Sequence, residues 1–325
     1  MTDSFDQDFI RFSRDRLLPL VDVVNARRRT GLVVSVATAL ALFGLFAFAV
    51  YLFLAPYQKL LGEYDITYWP LLVLAPASLA MIGFCLVYIL YLRRVVGEFR
   101  ESLVKRMAEF IDAGLVHESD RGIADKELRD SLFFAPSWRL TSGRDHFRGR
   151  AGVASVDFAE LRAVSPGEGG GGPLAGMIFI ARFPRNFRSF ALVLPASAPA
   201  SVSGVEDALR ERAVAAGTLV RLDDPEADRQ LLAPSGEQAF AESLLSPDAR
   251  RRLSRLRGDR GVGLYLSCIG GTLYAALLSE HKGAEQAGVF EGFDIERCRE
   301  FCRDAGFCMD LAREIGGRSD LWRDA

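Results

Sequence analysis

Two apolar runs near the N-terminus, Gly31–Tyr57 and Trp69–Leu92, each exceed the roughly 20 residues that a helix rising about 1.5 Å per residue needs to cross a hydrocarbon core. Neither carries a charged residue before its end, and only a short polar loop separates them. The pattern dictates a two-span hairpin of an integral membrane protein. Arg27, Arg28 and Arg29 precede the first run and Arg93, Arg94, Arg100, Lys105 and Arg106 follow the second, while Lys59 in the loop is offset by Glu63 and Asp65. The positive-inside rule then puts both termini in the cytoplasm, with Tyr51, Tyr57, Tyr64, Tyr68 and Trp69 as an interfacial belt on the far side. A cleaved signal peptide fits poorly, because the run starts some thirty residues in and lacks a small-x-small site before its polar exit.

The chain of 325 residues is 50% hydrophobic and 25% charged with a formal net charge of -2, so no basic excess points to nucleic acid. Removing the hairpin leaves enough chain for one substantial core. The five cysteines, Cys85, Cys268, Cys298, Cys302 and Cys308, lie in a span or in the expected cytoplasmic part, where free thiols are the default.

Four segments follow from the patterning: an amphipathic N-terminal helix over 1-29, the hairpin over 30-92, a helical stalk over 93-130 and an α+β domain over 131-325. The first carries Phe5, Phe9 and Phe12 at helical spacing, is expected to bend at Pro19, and suits either the membrane surface or the soluble domain. Small residues in the spans (Ser35, Ala37, Ala39, Ala41 and Gly44; Ala75, Ala77, Ala80 and Gly83) predict a close hairpin or an oligomer contact, and Pro76 a kink. The stalk keeps Val96, Phe99, Leu103, Met107 and Phe110 on one stripe that must be buried.

Beyond Phe133 the period changes to strands: the alternation around Val156, then Met177–Phe183 and Phe190–Leu194 joined by a hairpin turn at Phe183–Phe187, then Gly217–Leu222. A helical section follows over Pro225–Arg257, whose last helix has Ser246 as N-cap, Pro247 at its first position and Gly258 beyond its end. Val262–Cys268 and Thr272–Leu278 form a hairpin about Gly270–Gly271, and a closing helix starts near Asp294. The fold class is α+β, a mainly antiparallel sheet with inserted helices and a C-terminal helix.

Four motifs invite chemistry. Cys298, Cys302 and Cys308 have soft-ligand spacing, yet a zinc site needs about four ligands and His117, His146 and His281 are not beside them. With Ile295, Ala305, Met309 and Ala312, Cys298 and Cys302 share one helical face, Cys308 at its edge, which reads as core. Gly167–Gly172 lacks the Lys-Ser/Thr ending of a P-loop and precedes a strand, so it reads as a loop, as does Ala196–Gly204. Ser142, Asp145 and His146 sit in one short run; adjacent residues rarely converge as a triad, no Gly-x-Ser-x-Gly elbow exists, and a turn with Arg144 and Asp145 solvated is expected. Arg250, Arg251, Arg252, Arg255, Arg257 and Arg260 form the densest positive patch, a solvated face paired with Asp248 and Asp259 or a contact for lipid or an acidic partner.

The hairpin, Ser142-Gly143-Arg144-Asp145 to Gly149, Phe158-Ala159-Glu160-Leu161, Ile180–Phe187 running into Leu192–Pro195, Asp224–Ala227 through Leu232–Pro234, and Phe290-Glu291 together resemble the bacterial domain-of-unknown-function family 3137. That resemblance implies a two-span inner-membrane protein with no established activity, no catalytic residues to carry over, and a LemA-like membrane protein as partner by association. With no cofactor or metal motif, the residues point to a non-enzymatic inner-membrane protein whose cytoplasmic domain is an interaction or self-assembly scaffold. The alternative is a membrane-anchored sensor of lipid or a small ligand.

Overall fold

The computed structural model describes residues 2–54, 56, 69–119, 121–134, 137–164, 174–195, 219–224, 229–234, 238–244, 246–258, 263–280 and 294–323. The interspan loop, Gly167–Gly172, Ala196–Gly204, Arg260, His281 and Phe290-Glu291 lie outside them. The chain divides into two compact units, one comprising Ile10–Leu103 and the other Met1–Phe9 with Val104–Ala325.

The first unit is helical, and its outer helices continue in sequence into residues of the second. Helix α1 (Thr2–Phe12) passes through a π turn (Ser13–Leu17) into α2 (Leu18–Leu54), and α3 (Trp69–Ile111) runs unbroken through Pro76. The irregularity expected at Pro19 therefore lies one turn earlier. Proline lacks an N–H and its ring crowds the carbonyl four residues back, and widening the preceding turn, where Leu18 N–H donates to Ser13 O, relieves that crowding. Two helices of this unit are long and apolar enough to cross a membrane. They meet where Tyr91 lies over Gly31 and Leu42 over Gly83, and Arg27 and Arg94 both bond Glu98. Gly31, Ser35 and Ala80 are buried, whereas Ala37, Ala41 and Gly44 are exposed, so only some of the small residues serve the contact. Of the stripe expected on α3, Leu103 and Met107 are buried, Phe99 and Phe110 partly so, and only its start differs, with Val95 buried and Val96 exposed.

The second unit is built on a sheet of nine described strands, antiparallel at every pairing, in the order β1-β2-β3-β4-β9-β8-β5-β7-β6. The strands are β1 (Val116–Glu118), β2 (Arg139–Ala151), β3 (Ala154–Val164), β4 (Leu174–Arg182), β5 (Ala191–Pro195), β6 (Leu219–Asp224), β7 (Arg229–Pro234), β8 (Gly263–Ile269) and β9 (Thr272–Glu280). Helix α4 (Asp125–Asp130) precedes β2, α5 (Gln238–Ser243) and α6 (Pro247–Gly258) lie between β7 and β8, and α7 (Ile295–Gly317) closes the chain, capped by Asp294.

Both sheet faces are covered, which is why strand burial does not alternate cleanly. On one face Phe147, Phe158 and Phe179 form a row of rings, the first two of them against Phe301 of α7, with Phe147 and Phe158 stacked at 4.8 Å. On the other, Ile123, Leu128, Phe133, Phe134 and Trp138 pack over Ala159, Leu161, Ile178, Ile180, Tyr265 and Tyr274. Ser267 Oγ donates to Ser131 O at 2.8 Å and pins that covering segment to β8.

Two expectations are corrected. Phe183–Phe187 is no hairpin turn, since β9 and β8 separate β4 from β5; it crosses the end of the sheet, with Phe183 and Phe187 N–H donating to Gly271 and Gly270 O at 2.8 and 2.7 Å. Residues 229–234, read as helical, form β7 between β5 and β6. A six-residue segment with two leucines fits either period, and pairing on both sides decides it. The hairpin about Gly270–Gly271 and the Ser246 cap are as expected: Ile269 pairs with Thr272, Gly270 takes a φ of 57°, and Ala249 N–H donates to Ser246 Oγ at 3.1 Å.

The N-terminal residues of this unit pack on α7. Asp6 pairs with Arg303 at 2.8 Å and Arg299 at 3.8 Å, Phe5 and Phe9 contact Phe110 edge-on, and the Arg303 guanidinium lies 5.8 Å over the Phe5 ring.

Candidate functional site

The densest cluster of titratable groups sits where β1, β2 and β3 meet. Pairing sets Glu118 opposite His146 and Arg148 opposite Asp157, so these four side chains share one face. Asp157, only 6% exposed, accepts from His146 Nε2 at 3.0 Å, Arg148 Nε at 3.1 Å and Arg182, which also bonds Glu127. Burial pushes the Asp157 carboxyl up, but the bonds from His146, Arg182 and Arg148 outweigh it and hold the group well below the usual range. Glu118, bonded by Arg121 at 2.7 Å, is lowered as well, and its Oε2 lies 3.6 Å from His146 Nδ1.

On the opposite face His117, paired in register with Phe147, places Nε2 at 2.9 Å from Asp145 Oδ1. The run Ser142–His146 is thus not a solvated turn but a bulge inside β2, with Asp145 and His146 both 4% exposed. Among the described residues it assembles no triad: Asp145 bonds His117, His146 bonds Asp157, and Ser142 Oγ donates to Gly143 O at 3.4 Å. An acid, a base and a hydroxyl adjacent in sequence are distributed over separate partners. Sequence reasoning missed Asp157 and His117. Asp157 falls in an alternating strand on what reads as the solvent face, and the one available clue is that His146 and Arg148, two apart, must also face that way.

Cys298, Cys302 and Cys308 are buried on α7 and Cys268 is buried on β8. Burial pushes the Cys298 thiol up to about 12, aided by Asp294, and raises Cys268, Cys302 and Cys308 also, the opposite of what a thiolate ligand or nucleophile requires. Among the described residues no group of three or more His, Cys, Asp or Glu side chains is placed to hold a metal ion.

The basic helix α6 divides by function. Arg252 is built into the fold, pairing with Asp310 at 3.1 Å and Glu314 at 3.6 Å on α7 and with Asp248 at 3.3 Å. Arg250 donates to Glu242 O at 2.5 Å, whereas the Arg251 side chain is 71% exposed beside Asp248 at 3.5 Å. Arg255 and Arg257 lie on the same helix, with side chains outside the described residues.

The order of strands and the closing helix can now be set beside known families. Residues 173–316 match the family described as "Protein of unknown function (DUF3137)". The chain resembles that family over a stretch running from the start of β4 almost to the end of α7; the Ser142–Gly149 and Phe158–Leu161 motifs precede it. The DUF3137 match therefore spans the centre of the sheet and α6, but not the His146–Asp157 cluster. No curated protein and no solved structure matches the chain.

Proposed function

We propose that this chain is a non-enzymatic protein of the bacterial inner membrane, with both termini cytoplasmic, whose α+β unit binds a membrane-protein partner or further copies of itself. The observation that carries the reading is the commitment of the reactive groups inside the fold. His146, Asp157, His117 and Asp145 pair with one another, and Cys298 and Cys302 are packed as core. The unit also presents backbone: among the described residues β1 and β6 close the two ends of the sheet, each bonded on one side, and such edges pair with other chains. The arginines before the first span and after the second support the orientation. Mild detergent extraction of the full chain, followed by mass determination of the intact particle and identification of what co-migrates, tests it. A defined oligomer or a stoichiometric membrane partner is expected; a lone monomer would count against it.

A second reading, sensing through anionic lipid or a small ligand, draws on the exposed Arg251 of α6, with Arg250, Arg255 and Arg257 on the same helix. It predicts that the full chain, reconstituted in lipid nanodiscs, slows hydrogen exchange in α6 when anionic lipid is present.

A further inference from the structure

The end of the sheet formed by residues 183–188, 238–251 and 318–323 holds more positive charge than the fold uses. Its foundation is aromatic. Phe187 stacks on Trp322 at 4.6 Å, Phe183 lies 4.8 Å from the same ring, and Phe240 lies 6.3 Å from Phe187. Backbone bonds lock the two crossing segments together, Arg188 N–H to Leu321 O at 3.0 Å and Arg323 N–H to Asn186 O at 2.9 Å.

Over this base lie two arginines. The Arg185 guanidinium lies 5.4 Å from the Trp322 ring centroid and that of Arg188 5.5 Å from Phe240. Both are exposed, as are Arg323 and Arg251, and among the described residues neither Arg185 nor Arg188 is ion-paired with a carboxylate. Two of the three acids in these segments are already engaged, Asp320 by Arg318 and Asp248 by Arg251 and Arg252, which leaves Glu242 against Arg185, Arg188 and Arg323. The Arg318 bond lowers the Asp320 carboxyl, with a smaller contribution from the charge of Arg188. A second observation is independent of charge. The buried Trp322 Nε1–H has no acceptor among the described residues, an unspent donor at the centre of the patch.

We propose that this sheet end docks on the phosphate groups of anionic phospholipids. Guanidinium forks match phosphate oxygens bidentately, and cation–π contact with Trp322 and Phe240 holds the two charges over the patch beforehand, so less freedom is lost on binding. The occupant is lipid because a chain with two bilayer-length helices holds the unit beside its own membrane at high effective concentration, whereas a soluble anion must be captured from solution. The proposal rests on the lipid reading above and adds a site that α6 alone does not supply.

The test uses the full chain in nanodiscs of phosphatidylcholine, with and without about one third phosphatidylglycerol, and follows hydrogen exchange in peptides covering 183–190 and 318–323. At about fivefold per arginine near an anionic surface, exchange there is expected to slow by roughly tenfold or more with phosphatidylglycerol, and high salt to reverse the effect. Arg185→Glu with Arg188→Glu abolishes it; Arg185→Gln with Arg188→Gln weakens it, and an unchanged near-ultraviolet aromatic signal verifies that each variant is folded. Lipid-dependent protection that survives in both folded double variants overturns this surface while leaving the lipid reading on α6. No lipid dependence at all, in α6 or here, overturns both. Equal protection by inorganic phosphate in phosphatidylcholine discs overturns the membrane as the source.

Discussion

Asp145 and His146 are consecutive in the chain yet bond partners on opposite faces of the sheet, Asp145 reaching His117 beside Phe147 and His146 reaching Asp157. The Asp157 network ties β2, β3, β4 and α4 together through Arg148, Arg182 and Glu127. Replacing the acceptor leaves three donors without their carboxylate. Asp157→Asn is therefore expected to cost roughly 2 kcal/mol, below the range for a wholly buried pair because Arg148 and Arg182 stay within reach of water. A thermal midpoint in detergent unchanged from wild type would show that the network is incidental to stability.

The same carboxylates give the fold an acid limit. Asp157 and Glu118 are depressed in the folded state, so each contributes stability that is present above its unfolded pKa, about 4, and is lost as pH falls through the folded value. The thermal midpoint should hold near neutrality and fall below about pH 4. Asp157→Asn, lacking one of the two groups, should show a shallower fall; parallel acid profiles for wild type and variant would sink the assignment.

Much of this architecture is legible in the sequence because it is encoded locally. Composition marks the two long apolar helices, Gly270–Gly271 marks the β8–β9 turn, Ser246-Pro247 marks the start of α6, and four-residue spacing puts Cys298 and Cys302 on one buried face. What escaped depends on partners distant in sequence. Phe183–Phe187 has turn residues, but turn chemistry does not reveal that β9 and β8 will insert between the strands it joins. Asp157 occupies a polar position of an alternating strand, and only the covering segment from Ile123 to Trp138 makes that face internal. The cluster is invisible in sequence for the same reason, since His146, Asp157, Arg182 and Glu127 come from four separate elements.

Thiol chemistry tests the core reading of α7. Cys268, Cys298, Cys302 and Cys308 are buried with raised pKa values, and the thiolate is the species that reacts. At pH 8, maleimide should leave these four unmodified over the time in which an unfolded control is labelled at all of them, as read by mass spectrometry. Rapid labelling of Cys298 or Cys302 in the folded protein would contradict packing as their role and reopen a reactive one.

Two glycines should respond to alanine in opposite directions, for reasons that lie in different parts of the unit. Gly176 pairs with Leu161 on β3 and Leu278 on β9, and a Cβ there would collide with the Leu277 carbonyl, a backbone atom that cannot turn aside. Gly176→Ala must part β4 from β9 at the centre of the sheet, at a cost of about 1–3 kcal/mol by analogy with overpacked cores. Gly306 lies inside α7, where a Cβ meets nothing within 4 Å, so alanine removes backbone freedom from the unfolded chain without a clash. Gly306→Ala should stabilise by about 0.5–1 kcal/mol. Thermal midpoints of both variants, measured in the same detergent, should move apart on either side of wild type. A Gly176→Ala midpoint at or above wild type would mean that β4 and β9 are not in the register that brings Gly176 against Leu277, and a lowered Gly306→Ala midpoint that the α7 site is not open.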